Sequence, residues 1–164
     1  AGLVLLAAPA RSLLDIVIEQ NRRLAVLDDQ KTSDAERDAI TALIQQVRTT
    51  RDTATDPATK TAMGLPAGYW RSFDAVDPVG EAKSVALPML VLQGARDIQG
   101  VDADWQGWRG AFHADPKVSF KLYETLNHLA MESAEGAGLD SYAKPGHVDA
   151  ALIGDIAQWI KARR

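Results

Sequence analysis

Two side chains stand out for what they can do together. Asp97 lies in Gly94-Ala95-Arg96-Asp97, and His128 in Thr125-Leu126-Asn127-His128-Leu129. A carboxylate that accepts a hydrogen bond from an imidazole Nδ1–H fixes the tautomer of the ring. It also stabilises the imidazolium that forms when the ring takes a proton from a nucleophile. Each residue alone has a plainer reading. An Asp that follows a strand and a glycine commonly caps the N–H groups of a turn, and a loop histidine is commonly only polar surface. Their order raises both: an acid after one strand, then a histidine after the next.

The elements that must position them are legible. Met89-Leu90-Val91-Leu92 is an apolar run between Pro88 and Gly94, and Leu3 to Ala7 is another. Unbroken runs of this length are expected of parallel strands covered on both faces. In Val118 to Tyr123 the residues Val118, Phe120 and Leu122 alternate with Ser119, Lys121 and Tyr123, the pattern of a strand with one wetter face nearer a sheet edge. Open parallel sheets bind ligands at the carboxyl ends of their strands. Asp97 and His128 leave two such ends, about 5 Å apart across a ladder.

Between the second and third strands, Trp105, Trp108 and Phe112 mark one face of a helix from Asp102 to His113. Val148 to Arg164 reads as a closing helix with Leu152, Ile153, Ile156, Trp159 and Ile160 as its apolar face and a basic end that suits the helix dipole. Residues 11 to 64 read as a helical insertion. Ser12 with Asp15, and Ser33 with Glu36, resemble capping boxes, and Ile40, Leu43, Ile44 and Val47 form a narrow stripe. Gly64-Leu65-Pro66-Ala67-Gly68 then leads into an aromatic segment, Tyr69 to Phe73. The layout is strand, helical excursion, strand, helix, strand, loop, helix: an α/β chain of about three parallel strands with flanking helices.

Composition narrows the function classes. A net charge of −4 with scattered Lys and Arg argues against a nucleic-acid partner, which needs clustered cations. With no Cys in 164 residues, disulfides, thiolate nucleophiles and Cys-ligated metals are excluded, while the compartment stays open. The apolar start, Ala1 to Ala10, has no basic residues before it. It reads as a buried strand beginning partway along a longer chain rather than a signal peptide. No other run approaches the length of a membrane span. His128 and Glu132 stand at i, i+4, but no third metal ligand is evident. His113 reads as a helix C-terminal cap, His147 as a loop residue, and the Trp105 and Trp108 pair as core. Neither a phosphate-binding glycine loop nor a dinucleotide fingerprint is present.

Several blocks resemble the esterase-like α/β-hydrolases related to dienelactone hydrolases and acylaminoacyl peptidases. They are Leu5-Leu6-Ala7-Ala8-Pro9-Ala10, Tyr69-Trp70 with Asp77-Pro78-Val79, Leu87 through Asp97, Phe120-Lys121-Leu122-Tyr123 with Leu126-Asn127-His128-Leu129, and Lys144 through Asp149. The resemblance is weakest across residues 11 to 64, and the chain departs from the pattern at Ile98 and Gly100. It implies the C-terminal part of an α/β-hydrolase fold, with residues 1–10 and 65–164 in the core and 11–64 as a lid. It implies Asp97 as triad acid and His128 as general base, consistent with the Ser, Asp, His chain order of that fold. The expected substrate is a small-molecule carboxylic ester, and no metal or organic cofactor is required. The nucleophile is expected in a Gly-x-Ser-x-Gly elbow. None of Ser12, Ser33, Ser72, Ser84, Ser119, Ser133 and Ser141 is flanked in that way. The chain alone is therefore expected to be inactive, and to meet an N-terminal half, or a second copy of itself, across an open strand edge. Two rivals remain at this level: a non-catalytic binding or scaffold module, and a hydrolase with a carboxylate nucleophile such as a dehalogenase.

Overall fold

A computed structural model describes residues 1–27, 30–100 and 102–163. The chain divides into two compact units, one made of Ala1–Ala10 with Pro78–Arg164 and the other of Arg11–Asp77. The first is an α/β unit. Strands β1 (Leu3–Leu6), β2 (Met89–Gly94) and β3 (Val118–Tyr123) form a parallel sheet in the order β1-β2-β3. Leu3 pairs with Met89, and Gly94 with Tyr123. All six residues of β2 are buried, because both of its faces are covered. Met89 and Val91 pack against Trp105, Trp108 and Phe112 of α5 (Asp102–Phe112). Leu90 and Leu92 pack against Leu152, Ile156 and Trp159 of α6 (Ala150–Lys161). The Trp108 indole N–H also donates to the Ala8 carbonyl at 2.9 Å, which ties α5 to the chain leaving β1.

Several expectations are revised here. β1 is not covered on both faces. Leu3 and Leu5 join the α5-side core, whereas Val4 and Leu6 are 36% and 43% exposed, because β1 is an edge strand and α6 lies over β2 and β3. In β3 the alternation holds through Phe120 and then inverts, with Leu122 exposed and Tyr123 buried. The closing helix starts at Ala150, where the Asp149 side chain accepts from the Leu152 N–H at 2.8 Å. Arg164, its expected last residue, lies outside the described residues. Ile153 and Ile160 are exposed, because the residues at i, i+4 and i+7 (Leu152, Ile156 and Trp159) take the sheet-facing side. Helix α4 (Pro78–Val85) has no counterpart in the sequence reading.

The helical unit comprises α1 (Leu13–Leu24), α2 (Asp34–Arg51) and α3 (Ala67–Asp74), with a 3₁₀ turn at Ala62–Gly64. It extends past residue 64 because Trp70 of α3 is buried with Leu14, Val47 and Ala62. The Trp70 indole N–H donates to the Ala62 carbonyl at 2.7 Å. The capping box at Ser33 and Glu36 is present. The one at Ser12 is not: the Ser12 hydroxyl makes no cap bond. It donates instead to Asp74 and accepts from Arg51 at 2.8 Å. Arg51 also reaches Asp74 at 2.7 Å and Asp15 at 2.8 Å, tying all three helices together.

Candidate active site

Asp97 sits in the loop that leaves β2, and His128 in the loop that leaves β3. The two strands are neighbours in register. The loops are tied by backbone bonds, Ala95 N–H to Tyr123 O at 2.8 Å and Arg96 N–H to Leu126 O at 3.0 Å. This close approach requires Gly94, since a Cβ there would lie 2.2 Å from the Leu126 carbonyl oxygen. The result is that His128 Nδ1 lies 2.9 Å from Asp97 Oδ2. The structure thus brings together the two residues that the sequence singled out.

The carboxylate is wholly buried, with 0% of its side chain exposed. Oδ1 accepts from the backbone N–H groups of Gln99 at 2.7 Å and Gly100 at 2.8 Å. Oδ2 accepts from His128 Nδ1 and from Gln93 Nε2 at 3.1 Å. Each oxygen therefore has two donors, which fills the acceptor positions of a carboxylate. Because the Nδ1–H donates to Asp97, Nε2 is the ring atom left free to accept a proton.

The histidine loop is shaped by its neighbour. The Asn127 side-chain oxygen accepts from the N–H groups of Leu129 at 2.9 Å and Met131 at 3.2 Å. The Asn127 N–H donates to Met131 O at 2.9 Å. This tight turn places Ala130 at φ 55°, a left-handed conformation that costs a non-glycine residue about 1 kcal/mol. His128 keeps 34% of its side chain exposed, so part of the ring is open to solvent. The hydrogen bond that its Nδ1–H donates to Asp97 holds the imidazole above its ordinary titration range, against partial burial, which pushes it down.

That shift predicts a pH dependence of stability. A group whose folded pKa is raised stabilises the fold fully below its unfolded value, near 6.5 for histidine, and loses that contribution as pH rises through the folded value. The unfolding free energy of the wild type, less that of His128→Gln, is therefore expected to grow on acidification across this window. Urea titrations at a series of pH values measure it, and a flat difference contradicts the pairing.

Sequence reading missed Gln93, Gly100 and Asn127. The signal for Gln93 was available, a polar residue closing an otherwise apolar strand. The buried Tyr142 hydroxyl lies against Gln99 and the N–H groups of Ile98 and His128 without closing a hydrogen bond of good geometry, and burial raises its phenol above the ordinary range. Of the other residues considered, His113 follows α5 with Nδ1 3.2 Å from the Arg109 carbonyl, at the position of a C-terminal cap. Glu132 is bridged through its backbone to Leu126. His147 lines a cavity of about 360 Å³ with Met131, Ser133, Ser141 and Lys144. Among the described residues no group of three or more His, Asp and Glu gathers in the way that a metal ion requires, and no described helix is long and apolar enough to cross a membrane.

The chain is an α/β protein whose parallel sheet, flanked by helices, is consistent with part of a hydrolase fold. It is 30% identical, over 160 residues and 97% of its length, to esterase EstD of Thermotoga maritima, of which it spans 37%. That similarity supports a hydrolase-like origin. No family model matches the chain, and no solved structure matches it.

Proposed function

We propose that the chain is the C-terminal portion of a serine hydrolase acting on carboxylic esters, and that it supplies the acid and the base of the triad. The observation that carries this reading is the 2.9 Å contact between a wholly buried Asp97 carboxylate and Nδ1 of His128. Asp97 orients the ring. Nε2 takes the proton from an attacking serine hydroxyl, returns it to the leaving alcohol, and repeats the cycle with water in deacylation. Residues 11–64 act as the lid insertion of the parent enzyme, and no metal or organic cofactor takes part.

The nucleophile and oxyanion hole come from a further polypeptide segment. Two observations support this. The chain spans 37% of the esterase that it resembles. β1 also stands first in the sheet order, with Val4 and Leu6 exposed on the face where α6 covers Leu90 and Leu92. An edge strand carries unpaired backbone groups that invite another strand. The segment bearing the nucleophile is proposed to add to β1, with self-association across the same edge in its absence.

The test is to read the coding sequence adjoining residue 1 for a Gly-x-Ser-x-Gly elbow and to express residues 1–164 joined to it. Hydrolysis of a short-chain aryl ester is expected from the joined chain and not from residues 1–164 alone. An adjoining sequence without the elbow, or a joined chain that leaves the ester intact, removes the proposal.

A further inference from the structure

Gln93 is the last polar side chain before the glycine that ends β2, and it is 4% exposed. Its amide nitrogen lies 3.1 Å from Asp97 Oδ2, 2.9 Å from the Gly100 carbonyl and 3.1 Å from the Gly94 carbonyl. A buried amide so placed has a purpose beyond filling space, because an apolar residue would fill the same volume without a desolvation cost. Two of these contacts, to Asp97 Oδ2 and to the Gly100 carbonyl, span the Asp97 turn from one end to the other. Gly100, at the far end, offers its N–H to Oδ1 and its carbonyl to Gln93. The turn therefore closes into a ring of hydrogen bonds: Gln93 to Oδ2, Oδ1 to the Gly100 N–H, and the Gly100 carbonyl back to Gln93.

We infer that Gln93 is a positioning residue that sets the rotation of the Asp97 carboxylate, so that the remaining lone pair of Oδ2 faces His128 Nδ1. Rotation of a carboxylate about its last torsion is soft. The two backbone donors on Oδ1 alone leave Oδ2 free to swing about the axis that they define, and the Gln93 amide, 3.1 Å from Oδ2, removes that freedom. The space is tight as well. A Cβ on Gly100 would come within 2.8 Å of Oδ2 and 3.4 Å of Gln93 Nε2, so the loop backbone closes down on the same pair of atoms. This inference rests on the reading of Asp97 and His128 as acid and base.

The test uses the chain as it stands. Its three histidines, His113, His128 and His147, can be followed separately by ¹⁵N-labelled imidazole NMR, and His113 and His147 report on any general effect. In Gln93→Met the His128 midpoint is expected to fall by at least half the shift produced by Asp97→Asn, with His113 and His147 unmoved. The nitrogen shifts are expected to show a loss of the Nδ1–H tautomer. If the Met variant does not fold, Gln93→Asn keeps the amide but withdraws it by one methylene, and the same fall is expected. A purely packing role for Gln93 would lower stability without moving His128. An unchanged midpoint in a folded variant overturns the inference, and so does a raised one, since Gln93 would then draw charge from the imidazolium rather than aim the carboxylate. Failure of the underlying reading looks different: there Asp97→Asn itself leaves His128 where it was.

Discussion

On the proposed function, in the chain joined to a Gly-x-Ser-x-Gly segment, Asp97→Asn is expected to lower kcat for ester hydrolysis by about ten-thousandfold, and His128→Ala by at least as much, as losses of a triad acid or base do elsewhere. The local geometry explains why so small a change at Asp97 costs so much. The asparagine oxygen is held at the Oδ1 position by the N–H groups of Gln99 and Gly100. The new NH₂ therefore falls where Oδ2 was, facing Gln93 Nε2 and His128 Nδ1. Both neighbours donate in the wild type, so donor meets donor. The imidazole can escape only by moving its proton to Nε2, and an Nε2 that carries a proton cannot accept one from a hydroxyl. The same variant loses the hydrogen bond that raises His128, so the pH at which residual activity rises is expected to move down. Initial rates across pH, with circular dichroism to confirm folding, check both statements. Rates within a few-fold of wild type in either variant would remove the triad assignment.

How much of this was readable in advance depends on how local the determining interactions are. The β2 run and the Trp105, Trp108 and Phe112 spacing were legible because burial on both faces of a central strand, and on one face of a helix, leaves a pattern within a single segment. The Asp97 and His128 pair was legible because two successive strand ends in a parallel sheet fall side by side. Features decided by distant partners were not. Ser12 carries a capping signature, yet Arg51, 39 residues away, competes for its hydroxyl. The outward turn of Val4 and Leu6 depends on what lies beside β1, which its own residues do not encode. Helices α3 and α4 are eight residues each, two turns, too short for a periodicity to declare itself, although Pro78 at the first position of α4 is a start signal. Gln93 stands out in the sequence as a polar residue closing an apolar strand, but its role was not legible, because that role depends on the loop folding Gly100 back over the strand end.

Gly94→Ala is the substitution expected to do most damage to the fold, and it does so at the junction that makes the site. An added Cβ would meet the Leu126 carbonyl oxygen at 2.2 Å, its carbon at 2.7 Å and the Asn127 carbonyl oxygen at 3.2 Å. All three are backbone atoms, so no side chain can swing aside. Either β2 or the histidine loop must move, and Leu126 is itself buried and bonded to the Arg96 N–H. Overpacking against a backbone that cannot yield costs about 3 kcal/mol. Movement of the Leu126–Asn127 backbone also carries His128 away from Asp97. The variant is therefore expected to lose stability and, if folded, to show a His128 midpoint lowered toward that of Asp97→Asn. Gly154→Ala in α6 is the matched control. Nothing lies within 4 Å of a Cβ there, and replacing a helix-interior glycine stabilises by up to about 1 kcal/mol. Urea denaturation of the two variants is expected to shift in opposite directions from wild type. Should Gly94→Ala prove as stable as Gly154→Ala, the close approach of the two loops, and with it the 2.9 Å contact that it permits, would have to be abandoned.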